Sequence, residues 1–246
     1  MVTPGDKKEI ISRLQKDILQ WEGFVPPGAG AAKGVGLGPV EAAFPNGVFP
    51  TGVIHEMLCP TREQQAATSG LLGGLLTVLM RNGGPCLWIS KDRRLFPPAM
   101  DGFNVEPDKV IFIDAGNEKE VLWAMEEALK CEGLAAVVAE LREISFAQSR
   151  RLQLAVESSR VTGFLLRNDL RKLNTTTCVA RWQVRPLPSV LEDGMPGVGY
   201  PRWQVDLLRV RNGSPGSWQL EWATDGFIVI EESAAATNDL ETRQVG

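Results

Sequence analysis

One histidine, one tyrosine and four cysteines in 246 residues close off several kinds of chemistry at once. Cys59, Cys86, Cys131 and Cys178 lie far apart, with no Cys-x-x-Cys pair. That spacing argues against a zinc site or a disulfide framework and for isolated buried thiols in a reducing compartment. Any histidine-dependent mechanism must pass through His55, which sits inside an apparent strand and reads as a semi-buried strand residue. No apolar run approaches the ~20 residues that a membrane span needs. The N-terminus, "MVTPGDKKEIISRLQKD", lacks the apolar core of a signal peptide. A cytoplasmic protein with no metal, no cofactor and no membrane contact is the expectation.

What is present describes a globular chain. A hydrophobic fraction of 43% and a charged fraction of 23% suit one large domain with extensions, or two small ones. The net charge of −4 hides an asymmetry: residues 1–140 carry 13 Lys+Arg against 18 Asp+Glu, whereas residues 141–211 carry 12, of which 11 are Arg, against 6. An arginine-rich second half suits an acidic partner or nucleic acid, and equally a solvated surface laced with ion pairs.

Residues 6–22 read as an amphipathic helix, with Ile10, Ile11, Leu14, Ile18 and Trp21 at helical spacing. A Pro/Gly-rich linker follows, so residues 1–43 are expected to form an N-terminal helix and tether. Within it "GAGAAKG" is not a phosphate loop: no Gly directly precedes Lys33, no Ser or Thr follows it, and no strand leads in. The core is expected over 44–232. It begins with a strand around "VIHEML", then a Cys59-Pro60 break and a helix from about Arg62 to Met80. Strands "CLWIS", "VIFID", "LAAVVAEL" and "VTGFLLR" alternate with helices around "EKEVLWAMEEALKC" and "AQSRRLQLAVESS". Apolar strands separated by helices specify an α/β fold with a largely parallel sheet covered on both faces. Beyond Asn174 strands come without helices: "RWQV" at 181–184 and again at 202–205, a hairpin through "NGSPG" into "SWQLEW", and "FIVIEE". Trp218, Leu220 and Trp222 alternate onto one face and read as core. Residues 233–246 are polar and are expected to be disordered.

The order of these motifs resembles the RecA core, and more specifically the ImuA family, RecA-like accessory proteins of bacterial mutagenic translesion synthesis. The resemblance rests on "GVIHEML", "VLWAMEEAL", "LAAVVAELR", "SRRLQLAVESSRVTGFLLR" and "PRWQVDLLRVRNGSPGSWQLEW", which together cover most of residues 44–223. It implies a nucleotide site that has decayed. A working phosphate loop needs Gly-curled backbone N–H groups, a Lys on the β/γ oxygens and a Ser/Thr on Mg²⁺. Counting from Cys59, Gln65 stands where the Lys belongs and Ala66 where the hydroxyl belongs, with Arg62 or Thr68 as partial replacements. Asp92 stands near the family's catalytic Glu, Glu140 near its second-motif Asp, and Arg167 at the strand end that carries its γ-phosphate-sensing Gln. Losing the Lys and the metal ligand together removes the main electrostatic stabilisation of phosphoryl transfer.

The resemblance therefore implies a non-catalytic adaptor in SOS-induced error-prone DNA synthesis and repair. Its partners would be an ImuB-like inactive Y-family protein and an error-prone replicative-type polymerase, with RecA itself and a homo-oligomer as further candidates. Leu14 and Ile18 are the partner-docking residues of its N-terminal helix. Weak, sequence-independent DNA contact is expected of Arg167, Arg171 and Lys172. A divergent RecA-type ATPase and a SulA-like inhibitor of cell division are the alternatives.

Overall fold

The computed structural model describes residues 13–14, 34–81, 83–169, 171, 173–191, 197–224 and 226–233. Chain order runs β1 (Ile54–Leu58), α1 (Arg62–Met80), β2 (Cys86–Ser90), β3 (Val110–Asp114), α2 (Glu118–Ala128), β4 (Ala136–Leu141), α3 (Phe146–Ser159), β5 (Thr162–Arg167), β6 (Ala180–Leu187), β7 (Arg202–Val210), β8 (Gly216–Ala223) and β9 (Gly226–Ser233). All nine strands form one sheet in the order β3-β2-β4-β5-β1-β6-β7-β8-β9. β3 to β1 are mutually parallel; β6 to β9 pair antiparallel. This is the mixed α/β class read from the sequence. One pairing was not: β6 also runs parallel to β1, matching Met57 with Trp182, and so welds the antiparallel strands to the parallel ones.

The helices divide between the two faces. α1 packs on the face formed by Met57, Trp88, Val138, Phe164 and Trp182, a core that continues through Val205, Trp218 and Leu220. α2 and α3 cover Ile54, Ile89, Val137, Ala139 and Leu165 on the other. Capping starts each helix: Thr61 accepts from the Gln64 N–H, Asn117 from those of Lys119 and Glu120, and Ser145 forms a reciprocal capping box with Gln148. α1 is buried along most of its length and carries Gly70, Gly73 and Gly74, which would each cost about 1 kcal/mol in helix propensity relative to Ala. Their reason is close approach: a Cβ on Gly73 would lie 2.8 Å from the Phe103 ring, and one on Gly70 3.0 Å from Trp203.

Residues 35–43, expected as tether, belong to the core. A 3-10 helix at Gly38–Ala43 folds this stretch so that Val35, Leu37 and Val40 are buried with Phe44 and Phe49. The apolar side chains among the glycines, not the glycines, decide its place. The β6–β9 strands bury one face; the other pairs Arg185 with Asp206, Arg202 with Glu221 and Gln204 with Ser217 across neighbouring strands, and β9 adds exposed Ile228 and Ile230. Residues 234–246 lie outside the described structure. Among the described residues, no helix is long and apolar enough to cross a membrane.

Candidate functional site

α1 leaves the C-terminal end of β1 on one face, and α3 leaves the C-terminal end of β4 on the opposite face. Opposed connections of this kind open a crevice beyond the strand ends, where α/β sheets hold ligands. Here the crevice has a volume of about 710 Å³ and is lined by Thr61, Arg62, Gln65, Lys91, Asp92, Glu118, Glu140, Arg142, Asp169 and Arg171, among others. Its lining is mostly polar and its charges are nearly balanced, with Arg62, Lys91, Arg94, Arg142 and Arg171 set against Asp92, Glu118, Glu140 and Asp169.

The floor is a closed hydrogen-bond network. Gln65, buried in the first turns of α1, donates its side-chain amide to Glu140 Oε2 at 2.6 Å. Trp88 Nε1 donates to Glu140 Oε1 at 2.9 Å, and Arg94 donates to the Gln65 side-chain oxygen, Oε1, at 3.1 Å. Burial raises the Glu140 carboxyl above the usual carboxylate range, with the Trp88, Arg94 and Gln65 contacts opposing that shift. A phosphate oxygen entering here would meet a carboxylate already held by two donors, with a neutral amide in the lysine position. Thr68 offers no metal hydroxyl: it is fully buried and accepts from Cys59 Sγ at 3.4 Å. Burial in turn drives the Cys59 thiol up to about 12. Asp92 is exposed beyond β2 and meets Arg94 at 3.5 Å. Ala66 is exposed on α1 and adds no polar atom beyond the backbone.

The chain is 32% identical over 194 residues to Protein ImuA of Caulobacter vibrioides, in each of two strains, an overlap of 74% of this chain and 80% of that protein. The chain belongs to the ImuA family. No protein-family model matches it.

The remaining sequence-selected residues of this ImuA-family chain fall in separate places. Arg167 is not on a DNA-facing surface. It is fully buried, 2.7 Å from Glu56 Oε1, while Arg181 and Thr176 hold Glu56 Oε2 at 2.8 and 2.9 Å. A charge buried in the sheet must be paired, and Arg167 is the partner that lets β1 keep Glu56. Arg171 is exposed, but Asp169 accepts its Nε and guanidinium donors, and that contact holds the Asp169 carboxyl down at about 2. Leu14 is about half exposed in a helical turn; Ile18 and Lys172 lie outside the described residues.

His55 is a core residue rather than a catalytic one. Its Nδ1 accepts from Trp182 Nε1 at 3.3 Å, which leaves Nε2–H to donate to the Pro50 carbonyl at 2.8 Å. Burial lowers it to about 4, so the ring is neutral and fixed in one tautomer.

Sequence reasoning missed Trp88, Arg94, Glu56 and Asp169. A signal existed for one of them: Glu56 is a lone carboxylate in an apolar central strand, and such a group requires a cation. It also missed an apolar groove of about 680 Å³ beside the crevice, between α1 and the segment 95–103.

Proposed function

We propose that the chain is a non-catalytic adaptor of SOS-induced error-prone DNA synthesis, working through protein contacts rather than nucleotide turnover. The observation that carries this reading is the Gln65–Glu140 hydrogen bond at 2.6 Å. It occupies the phosphate-binding position with an internal contact and leaves neither a lysine nor a metal hydroxyl to receive a nucleotide. Phosphoryl transfer depends on positioning and on electrostatic stabilisation of the transferred group, and both elements are missing together. Membership of the ImuA family supports the mutagenesis role. The partners that follow are an ImuB-like inactive Y-family protein and an error-prone replicative-type polymerase, with RecA as a third candidate.

The test has two arms. Steady-state ATP hydrolysis with magnesium, with and without single-stranded DNA, is expected at background. Turnover abolished by Asp92→Ala or Glu140→Ala would overturn the non-catalytic reading. Co-purification of the tagged chain from DNA-damaged cells is expected to bring down the ImuB-like protein; recovery of the division tubulin homologue instead would favour the SulA-like alternative.

A further inference from the structure

The apolar groove has a polarity along its length. Its floor is Met100, Trp203 and the bare backbone of Gly70, and its lip is Leu95, Phe96 and Phe103. Met100 and Trp203 are buried, but Phe96 is 67% exposed, a large aromatic left in solvent at the mouth of a concave apolar surface. The depth depends on Gly70, because a Cβ there would sit 3.0 and 3.1 Å from the Trp203 and Phe103 rings. Among the described residues, Arg62 and Arg94 are the only charged groups that line the groove, and no carboxylate does. Both stand at the end nearest the crevice. Arg94 is held by its bond to the Gln65 side-chain oxygen, and Gln65 by Glu140, so the cation is anchored to the core through two hydrogen bonds. Two acids stand nearby without lining the groove: Asp92, on the crevice side, meets Arg94 at 3.5 Å in an exposed contact that a partner carboxylate must share or displace, and Glu63 interacts with Thr61.

We propose that this groove docks a short segment of a partner protein in which a large apolar side chain stands beside a carboxylate. The apolar side chain fills the space over Gly70 between Phe103, Met100 and Trp203, and the carboxylate meets Arg62 and Arg94. The volume lies within the range of binding clefts, and large aromatic anchors and arginine are enriched at interface hot spots. A carboxylate is the complement of a groove whose charged lining is purely cationic. The proposal rests on the adaptor reading for the nature of its ligand. Nucleotide turnover tests that reading separately, so the two can fail independently.

The experiment is selection of a random peptide library displayed on phage against the full-length chain, followed by fluorescence-anisotropy titration of the enriched peptides. Enriched sequences are expected to place Leu, Ile, Phe or Trp next to Asp or Glu. Arg62→Glu combined with Arg94→Glu should weaken them by roughly tenfold or more, since each charge-assisted hydrogen bond contributes about that much. Phe96→Ser, a change at an exposed position, should weaken them with no change in melting temperature, and serves as the second variant if the arginine pair disturbs Gln65. Arg62→Glu is compatible with the fold because it adds an acid to the first turn of α1.

Enrichment of basic peptides, or affinity indifferent to these three substitutions, would overturn the proposal. Two further results would also overturn it by assigning another occupant. Peptide binding that appears only in Leu240→Ala gives the groove to the chain's own Asp239-Leu240-Glu241 stretch. Concentration-dependent self-association lost in the same groove variants gives it to a second copy.

Discussion

Gln65 and Glu140 are 75 residues apart in sequence and 2.6 Å apart in space, and their hydrogen bond joins α1 to the C-terminal end of β4. By the resemblance to RecA, those two positions would face a nucleotide. Here they face each other, and Trp88 and Arg94 complete the closure.

Restoring the missing lysine should not restore binding. In Gln65→Lys with Ala66→Thr the new ammonium lies within reach of Glu140 and pairs with it, because an ion pair at that depth leaves no advantage in releasing the cation to a nucleotide. Isothermal titration with magnesium ATP is expected to give no heat of binding. Saturable micromolar binding would show that the network is not what keeps nucleotides out.

Glu56 should be the most sensitive carboxylate in the chain. It is fully buried between Arg167 and Arg181 and accepts from Thr176 as well. Glu56→Gln removes the negative charge that two guanidinium groups face, and breaking a buried pair in this way typically costs about 3–5 kcal/mol. Urea unfolding followed by tryptophan fluorescence measures it. A loss below about 1 kcal/mol, the range of a surface pair, would mean that Arg167 and Arg181 are solvated on the native state's time average.

His55 gives the fold a dependence on pH. Its folded value is lowered to about 4, below the 6.5 of an exposed ring, so the unfolded chain binds the proton more readily. The stability tied to the neutral ring is complete above pH 6.5 and falls as the pH drops towards 4, by up to about 1.4 kcal/mol per pH unit. His55→Phe should flatten that part of the profile, measured as urea midpoints between pH 4.5 and 7. A wild-type profile unchanged by the substitution would contradict the burial.

DNA contact by Arg171 should be weak and limited by its neighbour. Asp169 neutralises the guanidinium, so Asp169→Ala should raise affinity for single-stranded DNA at low salt and Arg171→Glu should remove it. A few phosphate contacts fade steeply with ionic strength, and fluorescence anisotropy at two salt concentrations is the measurement. Binding that persists at physiological salt would make DNA a principal ligand.

The sequence showed local structure clearly and distant pairing hardly at all. α1 over Arg62–Met80 and β2 over Cys86–Ser90 were legible, because a Cys59-Pro60 break and a short apolar run are local signals. The end of α2 was placed too late, since Lys130 and Cys131 continue the helical pattern while the chain already turns, with Cys131 N–H bonded to the Ala128 carbonyl. Arg167 was misplaced for a different reason. Its partner Glu56 is 111 residues away, and no local pattern distinguishes a buried arginine at a strand end from an exposed one. The degenerate loop was visible as a lack of Gly, Lys and hydroxyl. That Gln65 would turn to Glu140 was not, because it requires knowing that β4 ends beneath the first turns of α1. The apolar groove escaped entirely: Phe96, Phe103 and Trp203 come from separate segments, and each alone reads as ordinary core.

The shared strand β6 sets how this chain can be recombined. One edge is zipped to β1 and the other to β7, and Arg181 reaches back from it to Glu56. The C-terminal strands are therefore no cassette to be traded between relatives at a boundary near Asn174. A chimera joined there would import a β6 that must supply an arginine for a foreign glutamate and a tryptophan for a foreign histidine, as Trp182 does for His55. A junction in the turn between β7 and β8 leaves the β1–β6 seam intact, and asks that Trp203 and Val205 find Leu220 and Trp218 opposite them and that Trp222 still reach the Gly102 carbonyl.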